Sequence, residues 1–321
     1  MEELINLIVE KRNLSDSTIK NYKSVLRRLQ FLVGKKDVEP FLKSNNILLQ
    51  KIKKGYKKPY QLNLINVMVV ALDAYTDQIT DSELENSLEK YKEYQIELKK
   101  ELDKNKYNQC KTEKEHENWV SYDKMQDSIK INLKATNKIL KRANLGHKEA
   151  RVVMNWVVST LYAGSPLNPP PRLDFNNMII KTKDEYAEDH KENQNYLVIH
   201  TSRTKYFVFA EYKTAKTYGK KSVKLSPPLN RMINQYMKIR ERLPQSEYLL
   251  FNNKGEPINE STMSGMIADA FQPTGKHITA NLIRHIYITD YAKKQPLEVR
   301  KKISEQMGHN LEMALCYEKN D

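Results

Sequence analysis

Between residues 93 and 118 the sequence is almost wholly polar, rich in Lys and Glu, and supplies few side chains able to enter a core. Apolar periodicity runs up to this stretch and resumes at Trp119, so the chain has to bury its apolar surface in two places. A length of 321 residues suits two domains, each large enough for a core of its own. The expected layout is a first domain over residues 1–100, a polar and partly helical linker over 101–118, and a second domain over 119–321.

The first part reads as a small helical bundle. Ser15 or Ser17 can cap a helix in which Ile19, Tyr22, Leu26, Leu29 and Val33 recur at three- and four-residue steps and so share one stripe. Lys20, Lys23 and Arg27 fall largely off that stripe, and a basic loop over residues 51–58 carries Lys53 and Lys57 before a further apolar segment over 62–75. The chain holds 54 Lys and Arg against 40 Asp and Glu, a formal net charge of +14, which favours a polyanionic partner, nucleic acid first. Lys20, Lys23, Arg27, Lys53 and Lys57 are the candidate phosphate contacts. A solvated face in a Lys-rich chain is the plainer explanation of the same residues.

After Trp119, the pattern through Met125, Ile129, Leu133 and Ile139 into Val153, Trp156, Val157 and Leu161 reads as two buried helices. Pro166, Pro169, Pro170 and Pro171 cannot continue the second, because proline lacks the amide donor and clashes with the preceding turn; they form a rigid loop leading into Arg172. The period then changes. Residues 196–200, 206–212 and 222–225 are β-branched and aromatic with polar turns between, which predicts a three-stranded antiparallel sheet. Helical patterns resume over 229–242, 261–271, 280–293 and 297–307. The expected fold class is mainly α with a small antiparallel β-sheet: a helical domain followed by an α+β one. Two cysteines, Cys110 and Cys316, argue against a disulfide framework and a thiolate metal cluster. No apolar run approaches the ~20 residues a bilayer requires, so a soluble, intracellular protein is expected.

The residues richest in chemistry lie near the end. Arg284 and His285 sit where Ile283, Ile286 and Tyr287 outline a helix, and a guanidinium keeps its charge at any accessible pH and can grip two phosphate oxygens. The next helical pattern, Val299, Ile303 and Met307, ends at Gly308, a natural left-handed cap, so His309 emerges at a fixed point. Tyr317 follows, with Leu311, Ala314 and Leu315 as a short apolar anchor. Singly, each has a plainer reading: Tyr317 as core packing, Arg284 as a salt-bridged arginine, the histidines as ordinary polar side chains. Their joint order is what suits attack by a phenol on a phosphodiester.

Asn281, Leu282, Ile283, Arg284 and His285, then Met307, Gly308, His309 and Asn310, then Tyr317, resemble the terminal motif of the tyrosine recombinases, the phage integrase family. The likeness extends back through the strands to Trp119, and the N-terminal helices resemble that family's core-binding domain. The run from Tyr212 to Gly219, with the proline-rich approach to Arg172, looks most like integrases of large DNA viruses, virophages and related mobile elements. The resemblance implies a site-specific recombinase that cleaves and rejoins double-stranded DNA through a 3′-phosphotyrosyl bond, as a homotetramer on two duplexes, without metal, nucleotide or other cofactor. Tyr317 would be the nucleophile, Arg284 and Arg172 the charge stabilisers, His309 a donor to a non-bridging oxygen, and His285 an orienting group. A lysine on the hairpin between the second and third strands would protonate the leaving 5′-oxygen; Lys213 is the first candidate and Lys216 the second.

Two positions depart from the family pattern. Asn281 stands where the family usually has histidine and can donate a hydrogen bond but cannot act as a base. Arg172 precedes Asp174 by two positions rather than three, with Pro171 at the stricter place, so either the loop shifts to present Arg172 or the site lacks one cation. A type IB topoisomerase-like relaxase and a DNA-binding protein with a decayed catalytic site remain as alternatives.

Overall fold

In the computed structural model, which describes residues 1–142 and 145–320, the chain divides after Asn108 into two units. The first contains α1 (Glu2–Lys11), α2 (Asp16–Val33), α3 (Val38–Leu42), α4 (Asn45–Gly55), α5 (Lys58–Thr76) and α6 (Ser82–Tyr107). The cap expected for α2 is Ser15, whose Oγ accepts the Thr18 amide at 3.4 Å, and Gly34 at φ 70° closes the other end. α5 buries Leu64, Ile65, Val67, Met68, Ala71 and Leu72, residues on every side of the helix, as a central core helix must.

The polar stretch after residue 93 is helical for much of its length, and the division into two units falls within it, after Asn108. α6 runs on through it, capped by the Asp81 carboxylate, and keeps Leu84, Tyr91 and Leu98 buried at seven-residue steps with Tyr94 beside them. So narrow a seam leaves most positions free to be Lys or Glu, which is why the sequence reads as a linker. Residues 101–118 divide instead between the end of α6 and the start of the second unit.

The candidate phosphate contacts differ in their freedom. Lys23 and Arg27 each pair with Glu2 at 3.1 Å, and Lys53 lies 4.0 Å from the Tyr94 ring centroid, whereas Lys20 and Lys57 are exposed. The α2 cations are thus partly answered within their own unit. Exposed pairs of this kind are weak, so a phosphate can displace Glu2.

The second unit opens with α7 (Glu113–Asn118), α8 (Tyr122–Ile139) and α9 (His147–Ala163), the last buried continuously from Trp156 to Ala163. Then come β1 (Ile179–Thr182), α10 (Lys183–Glu188), β2 (Tyr196–Ile199), β3 (Lys205–Phe209), α11 (Ala215–Tyr218) and β4 (Lys221–Lys224). The sheet order is β1-β2-β3-β4. β2, β3 and β4 form the antiparallel meander expected, but β1 adds a fourth strand, parallel to β2. This edge strand of four half-buried or exposed residues has neither the length nor the alternation that marks a strand in sequence. The strand expected over 206–212 stops at Phe209, and the following residues become a loop carrying α11. α12 (Pro227–Arg240), α13 (Glu260–Ala270), α14 (Ala280–Asp290), α15 (Leu297–Gln306) and α16 (Leu311–Leu315) complete the unit. No helix among the described residues is long and apolar enough to cross a membrane.

Candidate active site

Arg284 does not project from α14; it is 0% exposed, enclosed with Ile283, Ile286 and Tyr287. A buried guanidinium needs oxygen partners, and two come from backbone carbonyls: Nη1 donates to Pro170 at 2.9 Å and Nη2 to Met307 at 3.3 Å. The first depends on the proline loop, whose carbonyls point inward. Tyr287 donates its hydroxyl to Pro166 O at 2.7 Å and Tyr162 donates to Arg172 O, so the loop is pinned at both ends. Asp174 then accepts the Arg172 amide at 3.2 Å. With this two-residue spacing the Arg172 guanidinium lies close enough for its charge to act on Tyr317 and Arg284.

The second anchor is the end of α15. A helix leaves its last carbonyls without intrahelical donors and carries partial negative charge there. Here three successive carbonyls are taken up: Gln306 O by Lys221 Nζ at 3.1 Å, Met307 O by Arg284, and Gly308 O by Thr214 Oγ1 at 2.8 Å. Gly308 stands at φ 72°, and a Cβ added there would lie 2.8 Å from Thr214 Oγ1 and 3.3 Å from Lys221 Nζ. Gly308→Ala should therefore lose about 1–3 kcal/mol of stability, from left-handed strain and crowding, and should slow any chemistry that depends on Lys221. Chemical denaturation beside a single-turnover assay measures both.

The hairpin lysine brought to this cluster is Lys221, the first residue of β4, rather than Lys213 or Lys216, which are both exposed on the preceding loop. Sequence reasoning missed it because attention fell on the loop. The available signal was the strand pairing, which sets Lys221 opposite Phe209 at the inner end of the hairpin. Its Nζ lies 3.8 Å from the Tyr212 ring centroid. Burial pushes its pKa down to about 8; Asp174 opposes that shift, and Arg284 and Arg172 add to it.

Tyr317 sits between two imidazoles: His309 is stacked on it, 5.3 Å between centroids at 14°, and His285 lies 4.7 Å away at 37°. Its phenol feels the positive charge of the Arg284 and Arg172 guanidiniums, and the Arg284 Cζ is 5.1 Å from the ring centroid. Burial alone would raise the phenol's pKa; the two guanidiniums more than offset it, so the pKa lies below the ordinary tyrosine value. His309 Nδ1 is 3.2 Å from Asn310 O and carries the proton for that bond, which leaves a lone pair on Nε2, an atom buried without a partner. Burial first, then Arg284, pushes the His309 pKa down to about 4. His285 Nδ1 donates to the Tyr317 carbonyl at 2.8 Å, which places it behind the nucleophile's backbone.

Asn281 does not join this cluster. It is exposed, and lines a separate cleft with Thr112, Glu115 and His277. The apolar anchor expected ahead of Tyr317 is also weaker than the sequence suggests: Ala314 is buried, but Leu315 is exposed, as is Val299 in α15. A cavity of about 700 Å³ lies against α9 and α13 beside Met154, Phe251 and Met266, and none of the Tyr317 cluster lines it.

Residues 192–321 match the Phage integrase family. This stretch holds Lys221, Arg284, His285, His309 and Tyr317, while Arg172 precedes it. No curated protein sequence matches the chain. Among solved structures it is similar to a lambda integrase dimer bound to a COC′ core site, at 13% identity and a TM-score of 0.54, covering 99% of this chain and 94% of that one. It is also similar to XerH site-specific recombinase bound to difH substrate in a pre-cleavage complex, at 15% identity and a TM-score of 0.52, covering 100% of this chain and 81% of that one. A lambda integrase tetramer bound to a Holliday junction matches at 13% identity and a TM-score of 0.53, covering 99% and 76%. At such identities the likeness is one of fold, and residues 192–321 lie within it.

Proposed function

We propose that the chain is a site-specific DNA recombinase that cleaves and rejoins double-stranded DNA through Tyr317. The observation that carries this reading is a phenol of lowered pKa held between two guanidiniums and two imidazoles. A bond forms from the Tyr317 oxygen to phosphorus as the bond to the 5′-oxygen breaks, leaving a 3′-phosphotyrosyl ester and a 5′-hydroxyl. Reversal by a 5′-hydroxyl of another strand rejoins the backbone, and since ester replaces ester no energy source is needed. The pentacoordinate phosphorane carries more negative charge than the ground state. Arg284 and Arg172, already facing the phenol, stabilise it preferentially.

The protons have places to go. His309 Nε2 has the lone pair to take the phenolic proton and, once protonated, donates to a non-bridging oxygen. The Lys221 ammonium, with a pKa of about 8, is largely charged at neutral pH yet close enough to it to release a proton to the leaving oxygen. The unit Met1–Asn108 serves as the core-binding domain, with Lys20 and Lys57 as its free phosphate contacts and Lys23, Arg27 and Lys53 recruited from their internal partners. Binding of that kind weakens steeply with salt. The similar structures include a dimer and a tetramer on DNA, which favours a homo-oligomeric recombinase over a monomeric relaxase. Two arginines acting on Tyr317, with Lys221 near both of them, favour an active site over a decayed one.

The test is to incubate the protein with a pool of nicked duplexes that trap the covalent stage, digest it, and locate the nucleotide-bearing peptide. A 3′-linked adduct on Tyr317 is expected. An adduct on another residue, or none under any ionic condition that permits DNA binding, would reject the reading.

A further inference from the structure

Polar contacts from residues 109–115 help to secure the segment bearing Tyr317, beside the Arg300–Glu318 ion pair. Gln109 is the single non-glycine residue at positive φ (54°) among the described residues. Its carbonyl accepts the Asn320 amide at 2.9 Å, its Nε2 donates to Leu315 O at 2.9 Å, and its Oε1 accepts from Asn320 Nδ2 at 3.0 Å. One residue thereby grips the chain on both sides of Tyr317. Glu115 supplies the charge. Its Oε2 meets the Lys319 ammonium at 3.2 Å and its Oε1 faces His285 Nε2 at 3.5 Å, all three side chains being at most 17% exposed. Lys319 also donates from Nζ to Cys110 O at 3.1 Å and from its amide to Thr289 Oγ1 at 3.0 Å. His285 in turn holds the Tyr317 carbonyl.

We infer that residues 109–115 form a strap that fixes the nucleophile in place, with Glu115 as its positioning residue: the carboxylate holds the Lys319 ammonium, two residues beyond Tyr317, against the strap, while His285 grips the Tyr317 carbonyl. The inference rests on the assignment of Tyr317 as the nucleophile. Its physical basis is the steep dependence of attack on alignment, in which a displacement of about 1 Å can cost a factor of ~100. Glu115 touches no reacting atom in this scheme.

The experiment compares Glu115→Gln, Lys319→Met and the double variant with wild type for single-turnover covalent adduct formation, DNA affinity and Tm. Glutamine keeps an oxygen for the Thr112 amide, which Glu115 accepts at 2.8 Å, so α7 retains its cap. Expected are a cleavage rate lowered ~10- to 100-fold in each single variant, an unchanged DNA Kd, and a double variant no slower than the singles. Ser121→Ala, which removes the cap accepting the Lys124 amide at 3.2 Å, is the control for lost stability alone and should cleave at the wild-type rate. Wild-type cleavage by Glu115→Gln, or a fall matched by Ser121→Ala at equal Tm, overturns the strap. If wild type itself forms no adduct, the functional reading fails separately and amide exchange decides: faster exchange at Lys319 and Asn320 in Glu115→Gln supports the strap, and unchanged exchange overturns it.

Discussion

Tyr317→Phe should abolish the covalent protein–DNA adduct while leaving the fold and DNA affinity in place. The phenyl ring keeps its stack on His309 and its approach to His285, since both contacts are made by the ring. Only the oxygen is lost, and with it the group on which the Arg284 and Arg172 charges act. Arg284 still has Pro170 O and Met307 O, so its charge is not stranded. Hydrogen bonds to charged groups contribute about 1.5–3 kcal/mol, which bounds the expected loss of stability. Gel analysis of trapped complexes and a chemical melt give the two readouts. Residual adduct in the variant would place the nucleophile elsewhere, Cys316 being the neighbour to examine first.

The second large effect belongs to Lys221. General acid catalysis is worth a factor of about 100 to 10,000, so Lys221→Ala should slow cleavage of an ordinary phosphodiester by that much. A substrate whose bridging 5′-oxygen is replaced by sulfur departs without needing a proton, and on it the variant should approach wild type. The wild-type rate should fall as pH rises past about 8, because the ammonium that supplies the proton is then lost, and the sulfur substrate should lack that limb. Lys213→Ala and Lys216→Ala, on exposed side chains, are the comparison; equal losses in those variants would return the role to the loop.

The parts of this molecule that were legible in the sequence are those written in local spacing. Ser15 capping α2, Gly308 closing α15, and the proline loop before Arg172 each follow from one residue's backbone chemistry, and each is found where expected. What escaped depends on contacts between distant segments. α6 hid its seam in a seven-residue repeat, β1 is defined by its partner β2 rather than by its own pattern, and Lys221 is singled out only when the hairpin folds back on the end of α15. The candidate phosphate contacts show the same limit, since Glu2 reaches Lys23 and Arg27 from another helix. The burial of Arg284 is likewise set by Pro170 and Met307, more than twenty positions away in either direction.

The three carbonyls that close α15 have one more consequence. They hold Lys221 and Arg284 in register, so the proposed chemistry needs little rearrangement to set its counter-charges around a phosphate. Arg284 commits one hydrogen of Nη2 to Met307 O and one of Nη1 to Pro170 O, and its Nε is buried with no acceptor. That vacant donor is where the guest's own oxygen can complete the coordination of the guanidinium.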